Sequence, residues 1–282
     1  MKYKIGKLKL KNRFLLAPML EPNDIAFRIL CKKAGCGLTY TGMISPLSKQ
    51  KLNLQDKPAI QLFGNTGKGI KDFIKKYDKK VSLWDFNLGC PSKLSKKLSH
   101  GAFMHNDLES IKKILETMRT STKKPITIKL RKSPNAIKIA KLAEQYVDAI
   151  GIHPRTFQQG YSGEPDCKFA LKLKKEISIP VIYSGNVNEN NANKILKDFD
   201  FVFIGRAAMG NPNIFSKLQT KKPKITFKNY IKLAKKHKLF FRQIKFQAMN
   251  FTSGLSFAKK MRKQLIDAKD TKAIEYIMKT NK

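Results

Sequence analysis

No stretch of the 282 residues approaches the run of roughly 18 apolar residues that spans a bilayer. The opening segment, Met1 to Asn12, is basic and has no apolar core of the kind a secretory leader carries. A cytoplasmic protein with no membrane partner is therefore expected. Cysteine is scarce: Cys31, Cys36, Cys90 and Cys167 show neither paired C-x-x-C spacing nor the density of a disulfide scaffold. Reduced thiols and no metal are expected, with Cys31 and Cys36 packed as small buried groups near a helix end. Acid is scarce too. Asp and Glu number 20 against 58 Lys and Arg, a formal charge of +38. Such a chain repels itself unless a polyanion lies against it, which points to nucleic acid or an anionic membrane surface. Much of the excess is lysine, and a Lys-, Ile- and Asn-rich chain is equally the product of genome-wide bias, so charge alone leaves the partner open. No G-x-G-x-x-G opens a helix, which removes a resident dinucleotide-binding domain.

What is present is a hydrophobic fraction of 41%, enough to fill one barrel of about 200 to 250 residues with room for a small appendage. Short β-branched apolar runs alternate with longer stretches of helical period, the pattern of a parallel sheet with crossover helices. Eight strands are predicted: Phe14 to Ala17, Leu38 to Thr41, Ala59 to Leu62, Ser82 to Asn87, Ile126 to Leu130, Ala149 to Ile152, Val181 to Ser184 and Phe201 to Ile204. Helices are predicted between them, near 24–33, 68–77, 108–119, 136–146, 168–176 and 190–197, with a short one after Asn211. Eight βα units predict an α/β fold of the closed (β/α)8 TIM-barrel type, since a doubly wound open sheet has fewer strands and a single Gly-rich first turn.

From about Thr220 only helical period remains, with Pro223 as a hinge and helices expected near 227–238, 242–250, 257–267 and 271–279. The organisation predicted is a catalytic barrel over 1–219 and a small all-helical domain over 220–282. That segment holds 18 Lys and Arg against 3 Asp and Glu, which suits a surface that tracks phosphates. Its Phe240, Phe241, Phe246, Phe251 and Phe257 read either as part of such a surface or as the core of a small bundle.

The strand ends carry chemistry: Pro18-Met19, Gln61 to Gly64, Asn87 to Pro91, Lys129 with Arg131, His153 to Thr156, Ser184 to Asn186, and Gly205-Arg206. A barrel gathers all of these on one face, where active sites lie. The most specific string is Asp85-Phe86-Asn87-Leu88-Gly89-Cys90-Pro91. With Ala17-Pro18-Met19, Gln61-Leu62-Phe63-Gly64, Ile128-Lys129-Leu130-Arg131, His153-Pro154-Arg155-Thr156, Gln159, Tyr161, Gly163, Ser184-Gly185-Asn186 and Ile204 to Ala208, it resembles the tRNA-dihydrouridine synthase family in order and spacing from about Arg13 to Phe215. The segment beyond resembles that family only in being helical and basic. Two positions depart from it. Thr41-Gly42-Met43 stands where members often have Thr-Glu-Met, and Pro165-Asp166-Cys167 where they often have Ala-Asp-Trp.

The resemblance implies an FMN-dependent reductase that hydrogenates the C5=C6 bond of uridine in tRNA, with NADPH as a transient reductant. Conjugate addition of hydride at C6 builds negative charge toward C5, so an acid is needed there. Cys90 fits, because a thiol is mostly protonated at neutral pH yet yields its proton readily. Lys129, costly to bury among Ile126, Thr127, Ile128 and Leu130 without an anionic partner, is the expected cation beside reduced flavin. Gln61 offers an amide to the flavin edge, and Pro18 and Met19 are expected against the ring. His153 is expected to bind flavin or phosphate, or to be a satisfied structural group. Barrels often hold a phosphate between the last two strand loops, here Ser184, Gly185 and Asn186 with Gly205 and Arg206. Asn87, Lys93, Arg155 and Tyr161 are expected to meet the tRNA, whose target base must be extruded and stacked. A monomer is expected. Two other readings remain open here: a barrel reductase of a free pyrimidine or other small enone, as in dihydroorotate dehydrogenase relatives, and a noncatalytic RNA-binding protein on the same scaffold.

Overall fold

The structure is a computed structural model and describes residues 3–20, 24–222 and 224–280; the hinge expected at Pro223 lies outside them. Eight strands close into a parallel barrel: β3 (Phe14–Leu16), β4 (Leu38–Ile44), β5 (Ala59–Leu62), β6 (Leu83–Leu88), β7 (Ile126–Arg131), β8 (Ala149–His153), β9 (Val181–Ser184) and β10 (Phe201–Ile204), with β10 pairing back to β3. These runs are apolar almost without alternation because side chains on one face fill the barrel and those on the other pack under helices. All eight agree with the predicted segments to within one residue at their starts. Two short strands precede them, β1 (Tyr3–Ile5) and β2 (Leu8–Leu10), an antiparallel hairpin that sequence reading missed. Its Ile5 and Leu10 are buried against Leu15, Leu38, Ala59, Leu83 and Ala149, the residues near the N-terminal ends of the barrel strands. The hairpin thus plugs that end, and the open face is the opposite one.

Around the barrel run α1 (Ile25–Lys33), α2 (Ile70–Tyr77), α3 (Lys93–Lys97), α4 (Leu108–Ser121), α5 (Ala136–Ala143), α6 (Cys167–Lys175), α7 (Ala192–Ile195) and α8 (Ile214–Lys217). Three start where an aspartate side chain accepts a backbone N–H: Asp24 from Phe27, Asp107 from Ser110 and Asp166 from Phe169, each satisfying a donor that the first turn leaves unpaired. Cys31 is buried within α1 and Cys36 just beyond its end, as expected. Among the described residues no helix is long and apolar enough to cross a membrane.

The remaining helices are α9 (Phe227–Lys236), α10 (Phe241–Phe251), α11 (Ala258–Asp267) and α12 (Thr271–Thr280). Their buried faces, including Tyr230, Ile244, Ala248, Leu265 and Ile274, belong to the same continuous apolar core as the barrel's outer layer. Asp24 at the head of α1 also accepts hydrogen bonds from Gln247 Nε2 at 2.8 Å and from Tyr230 OH at 3.3 Å. The five phenylalanines divide between the two readings: Phe251 rings pack on Phe227 and Tyr230, whereas Phe240 and Phe257 are exposed at 76% and 57%.

The buried ion pair that ties α1 to the chain entering β5 is Arg28 with Asp56. Arg28 Nε reaches Oδ2 at 2.8 Å and Nη2 reaches Oδ1 at 2.9 Å, with Nη2 also on the Asn53 carbonyl at 2.9 Å. Removing one charge strands the other. Asp56→Leu is expected to lower unfolding free energy by roughly 3–5 kcal/mol in a denaturant titration, and adding Arg28→Met to the same chain should recover most of it.

Candidate active site

Because every barrel strand runs the same way, the residues that end them share one mouth. A cavity of about 580 Å³ opens there, within the roughly 300–1,000 Å³ usual for cofactor sites. Ala17, Pro18 and Met19 line it from the end of β3, Lys129 from β7, His153 from β8, Ser184, Gly185 and Asn186 from β9, and Gly205, Arg206 and Ala207 from β10. Nine of the ten residues expected to bind a cofactor therefore meet around one cavity; Gln61 is not among the lining residues.

The corner formed by the last two loops is built for close approach. Gly185 has φ +129°, a conformation side chains avoid, and a Cβ there would sit 3.0 Å from Pro165 and 3.1 Å from His153. Arg206 donates to Asn186 Oδ1 at 2.8 Å and lies over the Tyr161 ring at 4.9 Å. Asn186 in turn donates to Glu164 at 3.1 Å, an acid on the cavity wall that sequence reading did not weigh. Arg206, Lys129 and the glycine-lined backbone fit a phosphate and an anionic ring edge, so this donor set suits FMN.

Burial sets the ionisation of the site. It pushes Lys129 down to about 8, aided by Arg131, while Asp85 and Cys90 pull the other way. It pushes Asp85 up to about 7 against hydrogen bonds from Thr127 and Gln61 and the charge of Lys129. His153 falls to about 2, through burial first and then the surrounding Lys129, Arg131, Arg155 and Arg206. The imidazole is therefore neutral. Arg155 Nη1 lies 3.2 Å from its Nε2, and since a guanidinium can only donate, Nε2 is the acceptor and Nδ1 carries the proton.

Cys90 sits two residues past β6 and is half-buried. Asn87 holds its turn: Oδ1 accepts from Gly89 N at 3.2 Å and Cys90 N at 3.0 Å. Strand register sets Asn87 beside Lys129, and the thiol is close enough to influence the charge of both Lys129 and Arg131. The loop that follows contains α3, capped by Ser92 accepting from Ser95 N. Lys93, Lys96 and Lys97 on it are exposed. The far foot of the loop is clamped by His105, which bonds the Leu88 carbonyl and Ser133 Oγ, each at 2.6 Å. Neither Asp85 nor His105 stood out as a site residue in the sequence. Asp85 was legible as part of the Asp-x-Asn string, but nothing local distinguished His105 from a surface histidine.

Arg155 departs from expectation. Its side chain is 1% exposed and is engaged by the Ser162 and Gly163 carbonyls, with Nε at 3.1 and 3.2 Å. Arg131 does the same for Thr156 O at 2.9 Å and for Gly160 O. The two guanidinium groups brace the loop 156–163 from beneath, and that loop holds Tyr161, 62% exposed, above His153 with ring centres 6.1 Å apart. Burial between a histidine and loop carbonyls is why Arg155 does not reach the surface.

The two departures from the family pattern have structural correlates. A Cβ on Gly42 would lie 2.7 Å from the Met19 carbonyl and 3.1 Å from Leu20 Cα, so a glutamate has no room while the first loop runs there. Pro165 packs under Gly185, Asp166 caps α6 and pairs with Lys132 at 2.7 Å, and Cys167 is exposed.

A family model described as dihydrouridine synthase (Dus) matches residues 15–279. The chain is 31% identical over 238 residues to tRNA-dihydrouridine synthase B of Pasteurella multocida, covering 77% of this chain and 72% of that protein. It is 32% identical to the protein of the same name from Escherichia coli K12, covering 77% and 74%. Among solved structures, the old yellow enzyme homologue from Zymomonas mobilis aligns with a TM-score of 0.59 at 12% identity over 80% of this chain and 94% of that one. TcOYE with pHBA aligns at 0.58 and 9%, over 80% and 94%. These structures share the barrel fold.

Arg155→Lys keeps the charge but loses the fork that grips two carbonyls. Faster amide hydrogen exchange over 156–163 is expected, with little change elsewhere. Unaltered exchange, joined to a salt dependence of RNA binding shallower by about one ion, would instead make Arg155 a phosphate contact.

Proposed function

Since the chain belongs to the dihydrouridine synthase family, we propose that it binds FMN at the barrel mouth and reduces the C5=C6 bond of uridine in tRNA to give 5,6-dihydrouridine. The observation that carries this reading is the anion-fitting cavity at the barrel mouth walled by Lys129, His153, Gly185 and Arg206; the half-buried Cys90, outside its lining, follows β6, the strand paired with that of Lys129.

Bound FMN, once reduced, would supply the hydride for C6 of the uracil. The protein's share is to hold, neutralise and protonate. Ser184, Gly185, Asn186, Gly205 and Arg206 would hold the phosphate through backbone N–H groups and the guanidinium, and Pro18 and Met19 would line the ring's place in the cavity. Lys129 would provide positive charge to the electron-rich cofactor and neutral His153 an additional hydrogen bond. Gln61, already bonded at both ends of its amide, reaches the cofactor only by exchanging one of those partners. Cys90 delivers its S–H proton to C5 as charge develops there, leaving a thiolate that solvent reprotonates. Tyr161 stacks on the extruded base, and Lys93 with its neighbours on α3 meets nearby phosphates; Asn87, expected to meet the tRNA, is buried with both ends of its amide engaged and serves indirectly by holding the Cys90 turn. Arg155 serves indirectly, by supporting the loop of Tyr161. NADPH is taken as the transient donor, and the protein as a metal-free monomer of the cytoplasm; these rest on the family and on the charge balance.

Cys90→Ala is expected to purify with its flavin spectrum intact and to lose on the order of 10²- to 10⁴-fold in turnover of unmodified tRNA. Undiminished turnover would remove Cys90 from the acid role, and turnover of free uracil without tRNA would favour a small-molecule reductase. A second expectation concerns pH. A bound anion raises the depressed Lys129 pKa above its free-site value of about 8, so binding above that pH must take up a proton. FMN affinity of the cofactor-stripped protein, read by fluorescence quenching, should be level from about pH 7 to 8 and fall beyond it, and Lys129→Met should abolish the dependence.

A further inference from the structure

Asp85 takes no part in the steps above, yet it is a carboxylate sealed inside the barrel, 1% exposed. Its two oxygens are both engaged: Oδ2 accepts from Gln61 Nε2 at 2.6 Å and Oδ1 from the Thr127 hydroxyl. An ionised carboxylate offers no donor, so it dictates which end of a neighbouring amide may face it. Gln61 must present its NH2 group, which turns Oε1 toward Asn87, where it accepts from Nδ2 at 2.8 Å. With Nδ2 so committed, Asn87 has only Oδ1 left to offer, and that oxygen accepts from the backbone N–H groups of Gly89 and Cys90. The donors and acceptors therefore run in one direction, from β6 through β5 and back to the turn that carries the thiol.

We propose that Asp85 is a positioning residue that fixes the Cys90 turn from inside the barrel by imposing this polarity on the Gln61 and Asn87 amides. Either amide could flip without changing shape; the acceptor-only carboxylate at one end of the line and the Gly89 and Cys90 N–H groups at the other both oppose it, and Asp85 is the side chain among them. Burial opposes the ionised form of Asp85, while the Thr127 and Gln61 hydrogen bonds and Lys129 on β7 favour it, so the polarity is strongest when the lysine is charged. The kinetic consequence rests on the reading of Cys90 as the proton donor; the geometric one does not.

The test uses the full-length flavin-bound protein with Cys167→Ser, since Cys167 is exposed while Cys31 and Cys36 are buried. Alkylation of Cys90 by iodoacetamide is followed by mass spectrometry, alongside kcat and KM for unmodified tRNA. Asp85→Ala should change the alkylation rate by about threefold or more and lower kcat on the order of ten- to a hundredfold with KM within about twofold, because a small misplacement of the acid costs rate rather than binding. Its effect should not add to that of Asn87→Ala, as expected for two members of one connected line. Thr127→Val, which takes a donor from the same carboxylate without touching Gln61, should leave Cys90 alkylation unaltered. An alkylation rate unmoved by Asp85→Ala, or effects of Asp85→Ala and Asn87→Ala that add, would overturn the proposal. Should Asp85→Ala lose its flavin, Asp85→Asn keeps the volume but frees the polarity and is judged by the same criteria. A wild-type protein inactive on tRNA would sink the functional reading, while the alkylation results would still decide the relay.

Discussion

A lysine ammonium half-buried in the wall of the barrel mouth, with one guanidinium on its own strand and two more around the adjoining imidazole, is the constraint around which this site is arranged. Burial lowers the Lys129 pKa without a full counter-ion: Asp85, the carboxylate that favours its charged form, is itself so deeply buried that its own charge is resisted. Positive charge this concentrated is unfavourable in the free protein. An anion in the cavity would offset it, which is why this wall suits a phosphate and electron-rich chemistry. The same crowding keeps His153 neutral and therefore able to act as a hydrogen-bonding group without adding a further charge.

Much of this was legible in the sequence. The eight barrel strands were readable because each is largely buried on both faces, which leaves short runs dominated by apolar residues, with single polar ones such as Gln61, Asp85 and Lys129 inside them, bounded by glycine, proline and polar residues. Closure then brings the strand ends together by geometry alone, so Lys129, His153, Gly185 and Arg206 could be assigned to one mouth although up to 77 residues separate them. What was not legible depends on which way a long or short side chain turns. Arg155 follows a strand end and looks available to a phosphate, but its guanidinium finds loop carbonyls seven and eight residues on, a choice set by tertiary packing. The hairpin of β1 and β2 escaped notice because three-residue strands containing Lys4 and Lys9 carry almost no pattern. His105 gave no local sign of bridging two strand ends.

The helical segment after residue 220 was expected to stand apart, and its basic composition supports contact with a polyanion. Its inner face, however, merges with the barrel's outer layer, and Asp24 binds it through Tyr230 and Gln247. Basic surface and catalytic mouth are thus held in a fixed relation by packed helices rather than joined by a loose tether.

The small hairpin at the other end of the barrel has a consequence for traffic. By setting Ile5 and Leu10 into the ring of first-layer side chains, it gives the vessel a floor, so nothing drains through. Ligands of the strand-end cavity then reach it from the opposite, open face.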